Sequence, residues 1–370
     1  MPEIILNNVT KKWGKFVAVD NLSMNIDDGD FITLLGPSGC GKTTTLRMIA
    51  GLETPTSGQI IMNGVIVFDS ERGINIPAAK RDVGFLFQNY ALWPHMTVYQ
   101  NIAFGLETLK WKKEDVKARV DEMLSMMQIK QFSGRYPAEL SGGQQQRVAI
   151  ARTLAPNPKV LFMDEPLSNL DAKLRGEMRT ELKRLHVDTG STFVYVTHDQ
   201  LEAMTLATRI CLMNEGVVQQ YDKPLTVYSK PANIFVADFV GNPTMNLIGA
   251  KAKQISDNTA RIDFLGRNFM YSSERPFKLY SESVTVGIRP EFIPISENGD
   301  LSGSVYSSLP SGMETTVKIK TGDSILSSVM FGSQSYEIDS EIRFSIFGKG
   351  ILLFENESGL MLASGGISLK

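Results

Sequence analysis

The sequence predicts two domains, a larger α/β domain built on a parallel sheet and a smaller β domain. The chain has 370 residues, and at about 150 residues per domain this length favours two or three domains. In the first part, short apolar runs alternate with longer helical stretches, as buried parallel strands alternate with crossover helices. In the last part, brief apolar runs separated by Gly, Ser, Asp and Asn predict the strands of a small β domain or barrel.

Serine content places the boundary between the two domains. Residues 1–240 contain 10 serines and residues 241–370 contain 21. We therefore place the boundary at Gly241-Asn242-Pro243, which gives an α/β domain of residues 1–240 and a β domain of residues 241–370.

Composition argues against several classes of protein. The 38 Lys and Arg residues nearly balance 40 Asp and Glu residues, so the sequence lacks the basic excess of nucleic-acid-binding proteins, and no nucleic acid is expected as a partner. No apolar run approaches the ~18 residues of a membrane-spanning helix, and no secretion leader is evident at the N-terminus. The two cysteines, Cys40 and Cys211, fit a reducing compartment. We expect a soluble, unexported, globular protein.

A phosphate-binding loop follows the predicted strand Phe31–Leu35. The run Gly36-Pro-Ser-Gly-Cys-Gly-Lys-Thr matches the pattern G-x-x-x-x-G-K-[ST] and precedes a predicted helix. Backbone N–H groups and the helix N-terminus would bind phosphate oxygens, Lys42 would reach the terminal phosphates and Thr43 would contact Mg²⁺. The predicted nucleotide-binding residues here are Gly36, Ser38, Gly39, Cys40, Gly41, Lys42, Thr43 and Thr44. Because Cys40 lies in this loop, we expect thiol alkylation to lower activity.

Two adjacent carboxylates end a second apolar strand. Val160–Met163 leads into Asp164 and Glu165, and adjacent strand residues point in opposite directions. Asp164 is therefore predicted to hold Mg²⁺, and Glu165 to act as the general base toward the attacking water, a role that contributes about 10²–10⁴-fold in rate.

The run Leu140-Ser-Gly-Gly-Gln144 lies between these two elements and opens a predicted helix. Here the chain resembles the ATP-binding-cassette (ABC) ATPases, whose signature motif has this sequence. The resemblance implies a P-loop fold with a RecA-like core, an antiparallel β subdomain and a helical subdomain at about residues 89–158. It also implies that Ser141, Gly142, Gly143 and Gln144 bind the ATP held by the other chain of a head-to-tail homodimer.

Further positions match landmarks of the same family. Trp13 resembles the aromatic residue that stacks on adenine, with Phe16 as an alternative. Gln88 resembles the glutamine that contacts Mg²⁺ and water and senses the membrane partner, and Asp171 belongs to the loop Ser168–Asp171 that communicates across the dimer. His198 resembles the switch histidine that contacts the γ-phosphate, whereas His95 is expected at the partner surface and His186 on a helix surface.

The segment after Gln88 is predicted to meet membrane subunits. Its apolar residues, Tyr90, Leu92, Trp93 and Met96, are expected to be exposed for a partner, although they could instead pack within the helical subdomain.

The resemblance narrows to importer ATPases of the maltose and glycerol-phosphate type. It rests on Glu165–Arg175, Thr197–Ala207, Lys230–Ala237 and Gly241–Asn246, and on Gly287-Ile-Arg-Pro-Glu291, which resembles a motif of that family's regulatory oligonucleotide-binding-fold (TOBE) barrel. It implies two transmembrane permease subunits, an extracytoplasmic solute-binding protein and a location at the cytoplasmic face of a bacterial or archaeal membrane.

Several alternatives stay open at this stage. Polyamine and ferric-ion importers carry similar ATPase subunits, and residues 241–370 could receive a regulatory protein or metabolite. A soluble cassette ATPase, a mainly regulatory protein and a simple P-loop kinase are the remaining candidates.

Overall fold

The computed structural model describes residues 4–369. The chain forms two compact units, of which the first ends at Pro224 and the second begins at Leu225. The second unit therefore includes residues 225–240, which precede the boundary predicted from serine content. No helix within residues 4–369 is long and apolar enough to cross a membrane.

The first unit contains two sheets and a group of helices. Its strands are β1 (Ile4–Trp13), β2 (Phe16–Ile26), β3 (Phe31–Leu35), β4 (Ser57–Met62), β5 (Val65–Asp69), β6 (Ile74–Asn75), β7 (Val83–Leu86), β8 (Val160–Asp164), β9 (Thr192–Val196), β10 (Arg209–Asn214) and β11 (Val217–Asp222). Its α-helices are α1 (Lys42–Ala50), α2 (Val98–Thr108), α3 (Lys113–Met126), α4 (Gly142–Leu154), α5 (Ala172–Thr189) and α6 (Gln200–Leu206). Short 3₁₀ helices lie at Ala78–Lys80, Lys130–Phe132 and Pro137–Glu139.

The central sheet has the order β11-β10-β3-β9-β8-β7, and β10, β3, β9, β8 and β7 run parallel. Its inner strands are buried along their length because both faces are covered. In β9, Phe193 and Tyr195 pack in one core with the helices, whereas Val194 and Val196 pack in a second core with the other sheet. The predicted α/β fold is confirmed, and the carboxyl ends of β3, β7, β8 and β9 meet at one edge of this sheet.

The second sheet of this unit is antiparallel, with the order β2-β1-β4-β5-β6. Its apolar face, which includes Ile4, Leu6 and Ile60, packs in the core that holds α1. Helices α2, α3 and α4 pack together on the other side of the central sheet. Thr97 caps α2 with a capping box, and Ser141 caps α4 in the same way.

The second unit contains a closed barrel and an open sheet. Its elements are α7 (Pro224–Ser229), α8 (Ile234–Phe239), β12 (Asn246–Ser256), β13 (Thr259–Phe264), β14 (Arg267–Ser273), β15 (Ser283–Ile288), a 3₁₀ helix (Pro290–Phe292), β16 (Leu301–Pro310), β17 (Glu314–Thr321), β18 (Ser324–Phe331), β19 (Glu341–Phe344), β20 (Ile351–Glu355) and β21 (Met361–Leu369). The barrel closes in the order β12-β13-β14-β21-β20-β15, and the open sheet has the order β18-β17-β16-β19. The predicted β-barrel is thereby confirmed.

Arg289, in the run that resembles a TOBE motif, is 2% exposed. Its guanidinium donates to the carbonyl oxygens of Tyr228, Ala237 and Val240 and lies 4.1 Å from the centre of the Tyr228 ring. A buried charge needs such partners because desolvation is costly. Arg289 therefore fastens α7 and α8 to the barrel strand β15, which explains why residues 225–240 belong to the second unit.

Candidate functional site

The loop between β3 and α1 has the backbone geometry of an anion-binding turn. Gly39 and Gly41 have φ values of 80° and 102°, where side chains other than hydrogen are strained. A Cβ at Gly41 would lie 2.4 Å from the carbonyl oxygen of Ala18, whereas a Cβ at Gly39 would have no heavy atom within 4 Å. The chain therefore turns tightly at Gly41 and leaves open space at Gly39, next to the N-terminus of α1.

Lys42 lies within this loop and is 5% exposed. Its Nζ donates to the carbonyl oxygens of Gly36 and Pro37 at 2.8 and 2.9 Å. These bonds hold the ammonium group inside the turn, where its charge can attract a phosphate.

Thr43 and Asp164 form a pair of hard oxygen ligands. The Thr43 hydroxyl donates to the Asp164 carboxylate at 2.8 Å, and Arg47 lies 3.4 Å from the other carboxylate oxygen. Mg²⁺ typically takes one or two protein oxygen ligands together with substrate phosphates and water. Among the residues that the structure describes, no group of three or more His, Cys, Asp or Glu could hold a metal by itself, so this pair fits a Mg²⁺ ion that is shared with a nucleotide.

Glu165 meets two of the predicted catalytic residues. One of its carboxylate oxygens lies 3.4 Å from Gln88 Nε2 and 3.4 Å from His198 Nδ1. Its backbone N–H donates to Val196 of β9 at 3.1 Å, and its φ of 45° turns the chain out of the strand direction. The structure thus brings Glu165, Gln88 and His198 together at the carboxyl edge of the sheet.

A buried carboxylate behind His198 was missed by sequence reasoning. Glu202, 4% exposed, accepts hydrogen bonds at 2.7 Å from the hydroxyls of Tyr195 and Thr197. Burial raises the pKa of Glu202, and the Thr197 hydrogen bond opposes that rise. Because Thr197 also accepts the backbone N–H of Asp199, Glu202 positions the loop that carries His198. Glu202 lies within the run Thr197–Ala207 that carries the resemblance, but no role was predicted for it there, and its contacts become visible only in the tertiary structure.

The predicted signature residues make their contacts within α4 and with α5. Ser141 caps α4 by accepting from the backbone N–H of Gln144, and a Cβ at Gly143 would lie 2.4 Å from a methyl group of Leu174 in α5. Asp171 caps α5 in turn. Within residues 4–369, no hydrogen bond or ion pair joins Ser141–Gln144 to Lys42, Asp164 or Glu165.

Trp13 and Phe16 form an exposed aromatic surface. They are 47% and 59% exposed, and their rings stack with centroids 6.3 Å apart and planes 4° apart. Both residues flank the β1–β2 turn and offer exposed ring surface on which a base could stack.

Both thiols are buried. Cys40 is 3% exposed and Cys211 is fully buried. Burial raises the pKa of Cys40, opposed by the Lys42 charge, and it raises the pKa of Cys211 to about 12. Because thiolates are the reactive form, alkylation of Cys40 should be slow, and its expected effect on activity stays a prediction. His186 is likewise buried rather than on the surface, with Nε2 2.9 Å from the Gly29 carbonyl oxygen.

The segment after Gln88 is only partly exposed. Tyr90 is 5% exposed, and Leu92 packs against the helical core. The Trp93 ring lies 4.3 Å from that of Phe104. The prediction that this segment is exposed is therefore wrong for Tyr90. Leu92 and Trp93 instead pack within the helical part, which was the alternative expectation.

These features together define a P-loop nucleotide hydrolase with a signature helix. A family model described as ABC transporter matches residues 19–168. The trehalose/maltose import ATP-binding protein MalK of Thermococcus litoralis is 49% identical over 79% of this chain and 78% of the relative. The sn-glycerol-3-phosphate import ATP-binding protein UgpC of Brucella abortus biovar 1 is 46% identical over 81% and 80%. The spermidine/putrescine import ATP-binding protein PotA of Rubrobacter xylanophilus is 47% identical over 80% and 77%.

Two solved structures share the fold of the first unit. The ATP-binding cassette MJ0796, solved as a dimer with ADP and Pi, is 36% identical, with a TM-score of 0.52 over 60% of this chain and 98% of that chain. CbiO1 of Clostridium perfringens is 28% identical, with a TM-score of 0.56 over 61% and 90%. The chain belongs to the family of ABC import ATP-binding proteins, and it is an ATPase whose hydrolysis is coupled to transport.

Proposed function

We propose that two copies of this chain form the ATP-hydrolysing motor of an importer and bind two ATP molecules at their shared interface. The observation that carries this proposal is that, within residues 4–369, Ser141–Gln144 make no hydrogen bond or ion pair with Lys42, Asp164 or Glu165 of the same chain. The signature residues are then free to contact the nucleotide that a second copy binds. The solved dimer of the related cassette MJ0796 supports such an arrangement.

In this proposal each site takes residues from both copies. One copy supplies a base-stacking surface, a phosphate loop and the residues at the sheet edge, and the other supplies the signature. The first set is Trp13, Gly36, Ser38, Gly39, Cys40, Gly41, Lys42, Thr43, Thr44, Gln88, Asp164, Glu165, Asp171 and His198, and the second is Ser141, Gly142, Gly143 and Gln144.

Thr43, Asp164 and Gln88 would hold Mg²⁺, which neutralises charge on the phosphate oxygens when bound. Lys42 and the loop N–H groups bind the phosphates and orient the terminal one. Glu165 accepts a proton from the attacking water as the water adds to the γ-phosphorus and the bond to the leaving phosphate oxygen breaks. His198 and Gln88, each 3.4 Å from a Glu165 oxygen, orient that carboxylate and the water.

The proposed cargo is a sugar, an oligosaccharide or a glycerol phosphate, because relatives at 49% and 46% identity are named for trehalose, maltose and sn-glycerol-3-phosphate. Polyamine uptake is the second candidate, favoured by a relative at 47% identity. The chain would act at the cytoplasmic face of the membrane with two permease subunits, which receive cargo from an extracytoplasmic solute-binding protein.

The test is the steady-state ATPase rate per chain, measured against protein concentration for wild type and Glu165→Gln. Wild type is expected to gain rate per chain with concentration, because each site needs a second copy. Glu165→Gln is expected to bind ATP but to hydrolyse it at least about 10²-fold more slowly. A rate per chain that is independent of concentration, or fast turnover by Glu165→Gln, would refute the proposal and favour a soluble cassette ATPase or a regulatory protein.

A further inference from the structure

The guanidinium of Arg152 joins the last turn of α4 to the segment that follows Gln88. It donates to the carbonyl oxygen of Tyr90 at 2.7 Å and to that of Ala91 at 2.6 Å. It also lies 4.7 Å from the centre of the Trp93 ring, within the range of a cation–π interaction. One side chain of the signature helix therefore contacts three residues of this segment.

The backbone at these contacts has an uncommon conformation. Tyr90 and Ala91 have φ values of 60° and 47°, and two successive residues other than glycine seldom occupy this region. Such a conformation persists where its surroundings fix it. Arg152 fixes it with two charge-assisted hydrogen bonds in a fork geometry that a lysine cannot reproduce.

The same segment contacts the catalytic group at its other end. Gln88 donates to Glu165 and Ser168, each at 3.4 Å, and the Gln88 carbonyl oxygen accepts from Asn169 at 3.1 Å. Within about four residues, the chain thus passes from contacts with Glu165 to contacts with Arg152.

Helix α4 connects Arg152 to the signature. Ser141 caps its first turn and Arg152 lies in its last turn. A helix of 13 residues spans about 20 Å at 1.5 Å per residue, and a rigid secondary element of this kind can carry coupling between its two ends. A displacement of the Ser141 end is therefore passed to the carbonyl oxygens of Tyr90 and Ala91.

We propose that Arg152 is a positioning residue that transmits the nucleotide state of the ATP site, through α4 and residues 90–93, to the surface carrying Trp93 and His95. This inference deepens the proposed function and rests on it. Without the two hydrogen bonds that Arg152 donates, a movement of α4 on nucleotide binding would no longer reach this surface, although the ATP site itself would remain intact.

The experiment follows Trp93 in the full chain by ¹⁹F NMR after incorporation of 5-fluorotryptophan. The chain has three tryptophans, so Trp93→Phe assigns the Trp93 resonance. A non-hydrolysable ATP analogue is added with Mg²⁺, and its Kd is measured separately by displacement of a fluorescent nucleotide. In wild type the Trp93 resonance is expected to shift at saturation, and in Arg152→Gln that shift is expected to fall at least threefold with the Kd within threefold of wild type.

Arg119→Gln is the matched control. Arg119 also donates to two backbone carbonyl oxygens at the end of α4, those of Leu154 and Ala155 at 3.1 and 2.9 Å. It makes no hydrogen bond to residues 90–93 in the described chain. Its loss is therefore expected to weaken local packing but to leave the Trp93 response at the wild-type size. Arg152→Lys keeps the positive charge and can donate to one of the two carbonyl oxygens, so it is expected to give an intermediate Trp93 response. It replaces Arg152→Gln if that variant does not fold.

The outcomes separate this inference from the proposed function. A full Trp93 response in Arg152→Gln or Arg152→Lys, or an equal loss in Arg119→Gln, would overturn the role of Arg152 alone. A Trp93 resonance that does not shift in wild type at a saturating analogue concentration would also overturn it. A wild-type chain that does not bind the analogue would instead overturn the proposed function and this inference with it.

Discussion

Replacement of Gly41 by alanine tests the geometry of the phosphate loop against a control in the same loop. Gly39 and Gly41 have positive φ values of 80° and 102°, so an alanine at either position strains the backbone by about 1–3 kcal/mol. Only at Gly41 does the Cβ also approach another backbone atom, the Ala18 carbonyl oxygen at 2.4 Å. Because a backbone oxygen cannot rotate away, this overlap adds about 1–3 kcal/mol.

We therefore expect Gly39→Ala to lower the free energy of unfolding by about 1–3 kcal/mol and Gly41→Ala by about 2–6 kcal/mol. The assay is urea unfolding followed by tryptophan fluorescence, which reports the first unit alone because Trp13, Trp93 and Trp111 all lie in it. If Gly41→Ala relieves the overlap by moving the loop, the affinity for ATP should fall at least tenfold, about 1.4 kcal/mol. Equal unfolding free energies for the two variants, within about 0.5 kcal/mol, would refute the steric argument.

Three further predictions concern the metal pair, a buried histidine and the thiols. Thr43→Val removes the hydroxyl that contacts Asp164, so the Mg²⁺ concentration for half-maximal ATPase activity should rise about tenfold or more. The control Thr43→Ser keeps a hydroxyl and should stay near wild type. An unchanged Mg²⁺ dependence in Thr43→Val would contradict the assignment of Thr43 as a Mg²⁺ ligand. Burial lowers the pKa of His186, so the contribution of the neutral ring to stability is complete above the unfolded pKa, about 6.5, and is lost as pH falls through the folded pKa. Urea unfolding between pH 8 and 5 should therefore show a steeper fall in the free energy of unfolding for wild type than for His186→Asn. Equal slopes for the two proteins would contradict this role of His186. Cys40 and Cys211 should react with a disulfide reagent at least about 100-fold more slowly in the folded chain than in urea, and rapid labelling of the folded chain would contradict their burial.

The sequence predicted the fold where local pattern and chemistry agree. The run Gly36–Thr43 needs positive φ at glycines, a preceding strand and a following helix, and all three requirements are visible in sequence. The parallel strands were predictable because burial on both faces makes β3, β8 and β9 continuous apolar runs. The positions of these strand ends along the chain then placed Asp164, Glu165 and His198 at the carboxyl edge of one sheet.

The remaining features depend on contacts between distant residues. Tyr90 was expected to be exposed because its neighbours suggest a loop, but its burial depends on α4, where Arg152 lies 62 residues further along the chain. An effect of alkylation at Cys40 was expected from its place in the loop. The burial of its thiol, however, depends on the turn at Gly36 and on the packing of α1. Glu202 resembles any acidic residue in the first turn of a helix until Tyr195 and Thr197 are seen to donate to it.

The conformation of Glu165 shows how one backbone angle determines the composition of the site. Strict strand alternation would direct Glu165 away from the side that Asp164 faces, and sequence reasoning relied on this alternation. In the structure β8 ends at Asp164, and Glu165 enters the left-handed region with its N–H bound to β9 and its carbonyl oxygen bound by Ser168. These two bonds fix the turn, so the carboxylate meets Gln88, which follows β7, and His198, which follows β9. Glu165, the proposed general base, is therefore held by contacts with residues that follow the strands on both sides of β8, and a shift of either neighbour would change the surroundings of its carboxylate.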